Sequence, residues 1–411
     1  MNAKLLFDGK EVSFESARLA VSLIDNVSRS LSIVIKRPIK NKTLKKEITN
    51  VIREELPINT LIQLKLNDTV VFTGYEANLK TSENPSQYEV SIECESKAMY
   101  FFKSNIPRNQ SFQGVKDILS LSQEIARRIN YTIVDADKKD PAINEIAIIN
   151  NVFSGQEIKL SNIAGYAEKF NKGSNELVLV KTTTNQIIFN QEWTALEGIQ
   201  RYANQNNILL RDDENGNVVL YKLNYENILP ITTLNRRINP LPTDPQNNIE
   251  SAQVVENLSD RSQVYFYYSK NFVNLVTGTG KKKRERKAPS LTSVVDSEIK
   301  IPSFKSVSSW DNRVDAELTQ SIGCIASVQK SRSKMYNVVV NGFTHGGYLN
   351  TKQSTIWQAG DVVNVYDEVQ GFNCLLVVTN VDIQINGGLT PTIRTKLTLS
   401  EPNIFTSIGI E

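Results

Sequence analysis

The side chains best suited to chemistry are few and widely separated. The chain of 411 residues has one histidine, His345, in the stretch NGFTHGG, and three cysteines, Cys94, Cys324 and Cys374. One imidazole cannot build a multi-histidine metal site, and a Ser-His-Asp or Cys-His mechanism would have to use His345. Its glycine neighbours predict a histidine in a surface loop. The cysteines show no CxxC spacing and have apolar neighbours, so each is predicted to be a buried structural thiol.

Two short motifs suggest ligand binding, and each fails at a specific position. A phosphate-binding loop built on GTGKKK (278–283) would need a glycine where the chain has Leu275 and a serine or threonine where it has Lys282. A calcium loop built on DDENGN (212–217) would place Arg211 at the first ligand position, so an acid-rich β-turn is predicted instead. No carboxylate pair stands out for glycoside hydrolysis. We therefore predict no enzyme, no catalytic residue, no cofactor and no metal.

The run KKKRERK (281–287) carries six positive charges and one negative. Such a run can contact a phosphate backbone or lipid headgroups. It has no interleaved aromatic residues and lies in a polar stretch, which predicts a solvated basic loop spanning about 275–300.

The net charge of the whole chain, +3, is too small to indicate nucleic acid. No apolar stretch approaches the roughly 20 residues that span a bilayer. The start, MNAKLLFDGKEV, lacks the apolar core of a signal peptide. Synthesis in a bacterial cytoplasm, without stable membrane insertion, is expected.

Apolar periodicity predicts the elements that would position these residues. Residues 1–100 alternate at period 2 and predict a β-domain with a tight turn at Asn67-Asp68. Its predicted strands are Leu19–Leu23, Leu31–Ile35, Leu61–Leu66, Val70–Leu79 and Tyr88–Cys94.

Residues 101–235 are predicted to form an α+β middle region, and the β pattern returns over 236–411 after the proline-rich NPLPTDPQNN. The predicted elements of the middle region are helices in 111–129, in 159–170 and from Thr194, and a hairpin around Asn215-Gly216. A further helix is predicted at about 311–327.

A hairpin pattern occurs at both ends of the chain, as NDTVVFTGYEANLKTSENPSQYEVSIECES (67–96) and CLLVVTNVDIQINGGLTPTIRTKLTLSEP (374–402). A shift of 306 aligns Tyr75 with Val381 in the first strands, and a shift of 305 aligns Cys94 with Leu399 in the second. Two interpretations are open. The similarity of two alternating hairpins is fortuitous, or the chain holds two copies of one barrel-like β-domain flanking the α+β insertion.

Three stretches, in order along the chain, resemble the baseplate hub proteins of contractile-tailed phages (the Mu-like tail protein family) and related hubs of tailocins and contractile injection systems. The stretches are YEVSIECESKA (88–98), WTALEGIQRYANQNN with the following ILLRDDENGNVVLYK (193–222), and WQAGDVVNVYD with the later TKLTLSEP (357–367 and 395–402).

The resemblance implies a mainly β fold, in which tube-like β-barrel domains 1–100 and 236–411 flank the smaller α+β region 101–235. It implies a homotrimer whose six β-domains form a pseudo-sixfold ring. The ring would adapt a hexameric tail tube to a trimeric central spike and contact other baseplate proteins. The expected location is the tail baseplate of a virion, with no specific nucleic acid bound.

If the hairpins line a channel, one face of their strands is polar and points to the lumen or to a partner. Ile62, Leu64 and Leu66 share one face of a strand, which leaves Gln63 and Lys65 on the other. The candidate lumen or partner-interface residues are Gln63, Lys65, Asn67, Asp68, Asn364, Asp367, Glu368 and Gln370. A plain solvent-facing role is the alternative for each.

Three other functions remain open. The hub-like part of a secretion-system spike protein would resemble the same family, but such proteins continue into an OB-fold and a β-helix, and this chain ends at GIE. A tail-associated cell-wall hydrolase or carbohydrate-binding protein would need a carboxylate pair in the middle region. A nucleic-acid binder would depend on KKKRERK alone.

Overall fold

The computed structural model describes most of the chain. The described residues are 2–23, 27–38, 56–83, 87–106, 111–112, 115, 117–138, 142–151, 166–171, 176–181, 187–188, 193–205, 208–222, 229–277, 284–309, 315–345, 355–387 and 392–402.

The first hundred residues form seven strands within the described ranges, as the period-2 pattern predicts. These are β1 (Ala3–Phe7), β2 (Lys10–Val12), β3 (Ser16–Ser22), β4 (Ser30–Pro38), β5 (Ile62–Leu66), β6 (Thr69–Glu83) and β7 (Gln87–Ser96).

The middle of the chain mixes helices and short strands. These are α1 (Lys97–Lys103), β8 (Ser111–Phe112), α2 (Ile118–Arg128), β9 (Thr132–Ile133), β10 (Glu145–Ile146), β11 (Ile148–Asn151), β12 (Tyr166–Asn171), β13 (Glu176–Lys181), β14 (Ile187–Ile188), α3 (Ala195–Gln205), β15 (Ile208–Asp212) and β16 (Val218–Lys222).

The last part returns to strands, with one helix in the described residues. These are β17 (Thr232–Arg236), β18 (Ile249–Glu256), β19 (Val264–Thr277), β20 (Arg284–Val295), β21 (Phe304–Ser309), α4 (Asp315–Ser333), β22 (Lys334–Asn341), β23 (Thr344–His345), β24 (Thr355–Ile356), β25 (Val362–Asp367), β26 (Phe372–Asn386) and β27 (Thr392–Ser400).

One 13-stranded sheet contains strands from both ends of the chain, in the order β18-β22-β27-β26-β3-β4-β7-β6-β5-β1-β2, with β25 and β17 branching from β26. The order β3-β4-β7-β6-β5 matches the order β18-β22-β27-β26-β25 strand for strand. The two β-domains are therefore copies of one topology, joined edge to edge by β3 and β26. This confirms a mainly β fold with an α+β insertion. Among the described strand pairs, none closes either half on itself.

The strand register corrects the predicted alignment of the two hairpins. The β6–β7 ladder shifts register at Ala77, between Glu76 and Asn78, and the β26–β27 ladder shifts at Thr379. Ala77 and Thr379 are thus equivalent, and the predicted shift of 306 for the first strand is wrong. The shift of 305 for the second strand is confirmed, because Cys94 and Leu399 each pair immediately before the bulge. The second hairpin has the longer turn, which sequence alternation does not reveal.

The two largest apolar cores among the described residues support this architecture. The larger core fills the two β-domains together and includes Ile62, Leu64 and Leu66, each fully buried as the alternation predicts. The second core packs α1, α2 and α3 against β15 and β16. The predicted capping box of α3 is present, because the Glu197 carboxylate accepts the Thr194 N–H at 2.8 Å and the Thr194 hydroxyl accepts the Glu197 N–H at 3.2 Å.

Two of the predicted elements differ from the structure. Residues 166–170, predicted as the end of a helix, belong to β12, which pairs antiparallel with β13; residues 159–165 lie outside the described residues. The helix predicted over 111–129 begins only at Ile118, after Ser111 and Phe112 pair with β14. In both places strand pairing overrides a helical spacing of apolar residues; the partner is the next strand for β12 and the distant β14 for Ser111 and Phe112.

The basic run was predicted as a loop, and its C-terminal part is a strand. Residues 284–287 belong to β20, with Arg284 opposite Thr277 and Lys287 opposite Asn274 of β19; residues 281–283 lie outside the described residues. A long antiparallel ladder satisfies the backbone whatever the side-chain charge, so polarity alone mispredicts this segment. Within the described residues, no helix is long and apolar enough to cross a bilayer.

Candidate functional site

The two β-domains meet where β3 pairs antiparallel with Asn380–Asn386, the outer half of β26. Leu19 stands opposite Ile383, and each is 1% exposed. On the other face, Arg18 forms an ion pair with Asp382, with Nε donating to Oδ1 at 2.9 Å and Nη2 to Oδ2 at 2.6 Å. This internal junction joins two equivalent domains through a strand edge, an apolar pair and an ion pair.

A buried arginine connects both β-domains with the middle region. The backbone N–H of Arg29 donates to Oδ2 of Asp212 at 2.8 Å, and its Nε lies 3.5 Å from Oδ1. Its guanidinium also donates to the Val71 carbonyl and to Oε1 of Gln358, each at 3.2 Å. Burial raises the pKa of Asp212 to about 6, against the pull of the Arg29 charge toward the ionised form. We call this set the three-way contact. Sequence reasoning missed it, since no local pattern marks a long-range ion pair.

The four candidate residues of the first β-domain lie on one strand and its turn. Gln63 and Lys65 are half-buried on the face of β5 opposite its core residues. Asn67 and Asp68 form the predicted turn into β6, both with positive φ, of 47° and 66°. The side-chain oxygen of Asn67 accepts the Asn2 N–H at 3.0 Å. Lys4 donates to Asp68 at 2.7 Å, and this hydrogen bond lowers the pKa of Asp68.

Among the candidates of the second β-domain, Asn364 and Asp367 lie on β25. Asn364 of β25 takes the place that Gln63 has in β5. The buried residues that follow them, Val365 and Leu64, pair with equivalent positions of β26 and β6. Glu368 and Gln370 lie in the turn after β25. Glu368 accepts the Ile238 N–H at 2.9 Å, and the Gln370 N–H donates to Asp367 at 3.2 Å. Asn364, Glu368 and Gln370 remain predictions as interface residues.

Asp367 is fully buried and takes the core position that Leu66 has in the first domain. Arg236 donates to its two oxygens at 2.9 and 2.7 Å, and the Tyr336 hydroxyl donates to Oδ2. Burial acts to raise the pKa of Asp367, but the hydrogen bonds from Arg236 and Tyr336 outweigh it and hold the pKa below its ordinary value. Asp367 is thus a buried, internally hydrogen-bonded carboxylate in the single chain, and its role at an interface remains a prediction.

The predicted histidine and cysteine environments are partly wrong. His345 is not in a surface loop: it lies in β23, 7% exposed, with its ring centroid 4.8 Å from that of Trp357. Burial lowers the pKa of His345. Cys94 is buried as predicted, whereas Cys374 is exposed; the side chain of Cys324 lies outside the described residues.

The DDENGN stretch forms the predicted turn between β15 and β16. Oδ1 of Asp213 accepts the backbone N–H groups of Asn215 and Asn217 at 3.0 and 2.7 Å, and Gly216 has a φ of 74°. Among the described residues, no group of three or more His, Cys, Asp or Glu side chains is placed to hold a metal ion.

Comparison with known proteins gives structural matches only. No family model matches the chain, and no curated protein matches its sequence. The 43 kDa tail protein of prophage MuSo2 from Shewanella oneidensis superposes with a TM-score of 0.66 at 14% identity, covering 98% of this chain and 100% of that one. The tail protein from Neisseria meningitidis MC58 superposes with a TM-score of 0.64 at 15% identity, covering 98% and 97%.

The chain therefore has the fold of Mu-like prophage tail proteins over almost its whole length. The resemblance seen in the sequence is confirmed at the level of the fold.

Proposed function

We propose that this chain is the structural baseplate hub of a contractile phage tail. Three copies form a ring of pseudo-sixfold symmetry that adapts the hexameric tail tube to the trimeric central spike. The observation that carries this proposal is the repeated strand order, in which β3-β4-β7-β6-β5 matches β18-β22-β27-β26-β25 within one sheet.

A threefold object and a sixfold object can share an axis only through a part that offers both symmetries. A trimer of identical chains presents three equal surfaces, and two similar domains in each chain turn these into six. The duplicated topology meets this requirement. The fold shared with two tail proteins over nearly the whole chain supports a location in the tail.

The proposed role is mechanical and uses broad surfaces. The spike, the tail tube and other baseplate proteins would bind through large interfaces with apolar centres and polar rims. Gln63 and Asn364, which hold equivalent positions in the two β-domains, are the candidates best placed to repeat one contact six times around the ring.

Location and copy number test this proposal. In tail particles from the organism that encodes the chain, a gold-labelled antibody should mark one end of each tail. Quantitative mass spectrometry should give three copies per particle. Label distributed along the tail shaft, or a copy number of six or more, would contradict the proposed hub.

A further inference from the structure

Each chain has two strand edges, one of each kind found at the internal junction, that the described residues leave without a neighbouring strand. β18 ends the sheet, with β22 as its strand partner among the described residues. On the side of β6 that faces away from β7, the pairing with β5 stops at Gly74. We call Ala252–Glu256 the β18 edge and Leu79–Glu83 the β6 edge.

The internal junction shows what these two edges are built to do. β18 is the counterpart of β3, and β6 is the counterpart of β26. β3 pairs with the outer half of β26 inside the chain, so the same pairing is available between β18 and β6. Within one chain β18 and β6 do not pair with each other in the described sheet, so this pairing is left for a second copy of the chain.

The sequences of the two counterpart strands support the equivalence. The sequence of β3 is SARLAVS (16–22). The corresponding sequence is SAQVVEN (251–257), which covers the last six residues of β18 and the residue after it. Ser16 pairs with Val34 of β4, and Ser251 pairs with Val339, which is the corresponding residue of β22. The Ser-Ala dipeptide therefore occupies the same register in both copies, a signal that was present in the sequence.

Apolar side chains on the two edges are also placed to be covered by a further strand. Leu19 of β3 is 1% exposed because β26 lies beside it, whereas its counterpart Val254 on β18 is 37% exposed. On the β6 edge, Leu79 corresponds to Val381, which is 1% exposed at the internal junction. In β-strand addition the main-chain hydrogen bonds of the paired edges supply the affinity, and the packing of alternate side chains such as these supplies the specificity.

We propose that the β18 edge of one chain pairs antiparallel with the β6 edge of a second copy of this chain, in the register of the internal junction. That register sets Val254 opposite Thr81 and Glu256 opposite Leu79. Each chain then uses one edge of each kind, so the contact is head-to-tail. It deepens the proposed function and rests on it for one point, that the ring closes at three chains.

An engineered disulfide tests the register. Cys324→Ala and Cys374→Ser together give a background whose one remaining cysteine is the buried Cys94. In this background, Thr81→Cys with Val254→Cys should link chains into covalent dimers and trimers on mild oxidation. The matched control, Lys80→Cys with Val254→Cys, places the thiols on opposite faces of the joined sheet and should give at least tenfold less product.

A charge on the edge tests the pairing without new cysteines. Val254→Lys changes a side chain that is already exposed in the single chain, so the fold should persist. The variant should raise the protein concentration needed for trimers at least tenfold. Val295→Lys, a change at an exposed valine of β20 in a separate sheet, should leave it unchanged.

The outcomes separate this proposal from the proposed function. Trimers that do not crosslink through the 81–254 pair, or that persist in Val254→Lys, would overturn the edge pairing and leave a trimeric hub. Specific crosslinks that continue into chains longer than three would support the edge pairing and contradict the three-membered ring. Folded monomers without crosslinks at any concentration would contradict both.

Discussion

At the scale of single residues, buried charges hold the parts of the molecule together. Arg29 reaches Asp212 of the middle region and Gln358 of the second β-domain from its place just before β4. Asp367 satisfies Arg236 and Tyr336 in the core of the second domain. Polar groups in such places are stable only with their partners present, so removal of one partner should cost more than the loss of a surface pair.

Arg29→Met should lower the free energy of unfolding by about 3 kcal/mol, because it leaves the buried Asp212 carboxylate without its cation. Adding Asp212→Asn to this variant should restore part of the loss, since the unpaired charge is then gone. Urea unfolding at pH 7 measures both. Arg127→Met, at an exposed ion pair with Glu124, is the control and should change stability by about 0.5 kcal/mol or less. Equal losses of stability in Arg29→Met and Arg127→Met would contradict this account of the three-way contact.

Asp361 should make the protein less stable as pH rises. Burial raises its pKa from 3.8 to about 7. The folded chain thus holds this proton more tightly than the unfolded chain. The stabilisation is full below about pH 4 and is lost as pH rises through 7, by on the order of 4 kcal/mol.

Asp361→Asn cannot ionise and still offers an oxygen to the Gln358 N–H, which donates to Asp361 at 2.8 Å. Its stability curve between pH 4 and 8 should be flatter than that of the unaltered protein, and the variant should be the more stable of the two at pH 8. Parallel curves from chemical unfolding at four pH values would contradict the assignment.

At the scale of elements, β6 changes partner in the middle of the strand, and a glycine occupies the crossing point. Gly74 pairs with Ile62 of β5 on one side and Ser96 of β7 on the other. A Cβ at this position would lie 2.1 Å from the carbonyl oxygen of Glu95 and 2.7 Å from the Phe72 ring. Backbone atoms of a paired strand cannot move aside without breaking the ladder.

Gly74→Ala should therefore destabilise the protein by about 3 kcal/mol or more, or prevent soluble expression. Gly9→Asn is a suitable control, because Gly9 has open space around it and asparagine tolerates its φ of 77°. The midpoints of thermal unfolding compare the two. A normal midpoint for Gly74→Ala would show that β6 and β7 separate more easily than the structure indicates.

Period-2 alternation predicted the strands around both hairpins, and the capping pair Thr194 and Glu197 predicted the start of α3. These signals are local, and burial of one face enforces them. The strand at 166–171 and the strand character of 284–287 come from pairing with the neighbouring strand of the chain, and His345 is buried against Trp357. The helical spacing, the polarity and the flanking glycines of these segments therefore mispredicted them. The candidate residues Gln63 and Asn364 were found by alternation, whereas the long-range partners of Asp367 and Arg29 have no sequence signature.

At the scale of the whole molecule, the chain has a fold that it shares with two tail proteins at only 14% and 15% identity. Strand order and the alternation of buried positions require residue classes rather than particular residues, which allows such divergence. The duplication of strand order within one sheet is the property on which the proposed ring rests.

The mass of the purified protein in solution tests the ring most directly. Light scattering across a hundredfold range of concentration should show a species of three 46.2 kDa chains that becomes dominant as concentration rises. A single chain at every concentration, or a species of two or four chains, would contradict a trimeric hub with six equivalent β-domains.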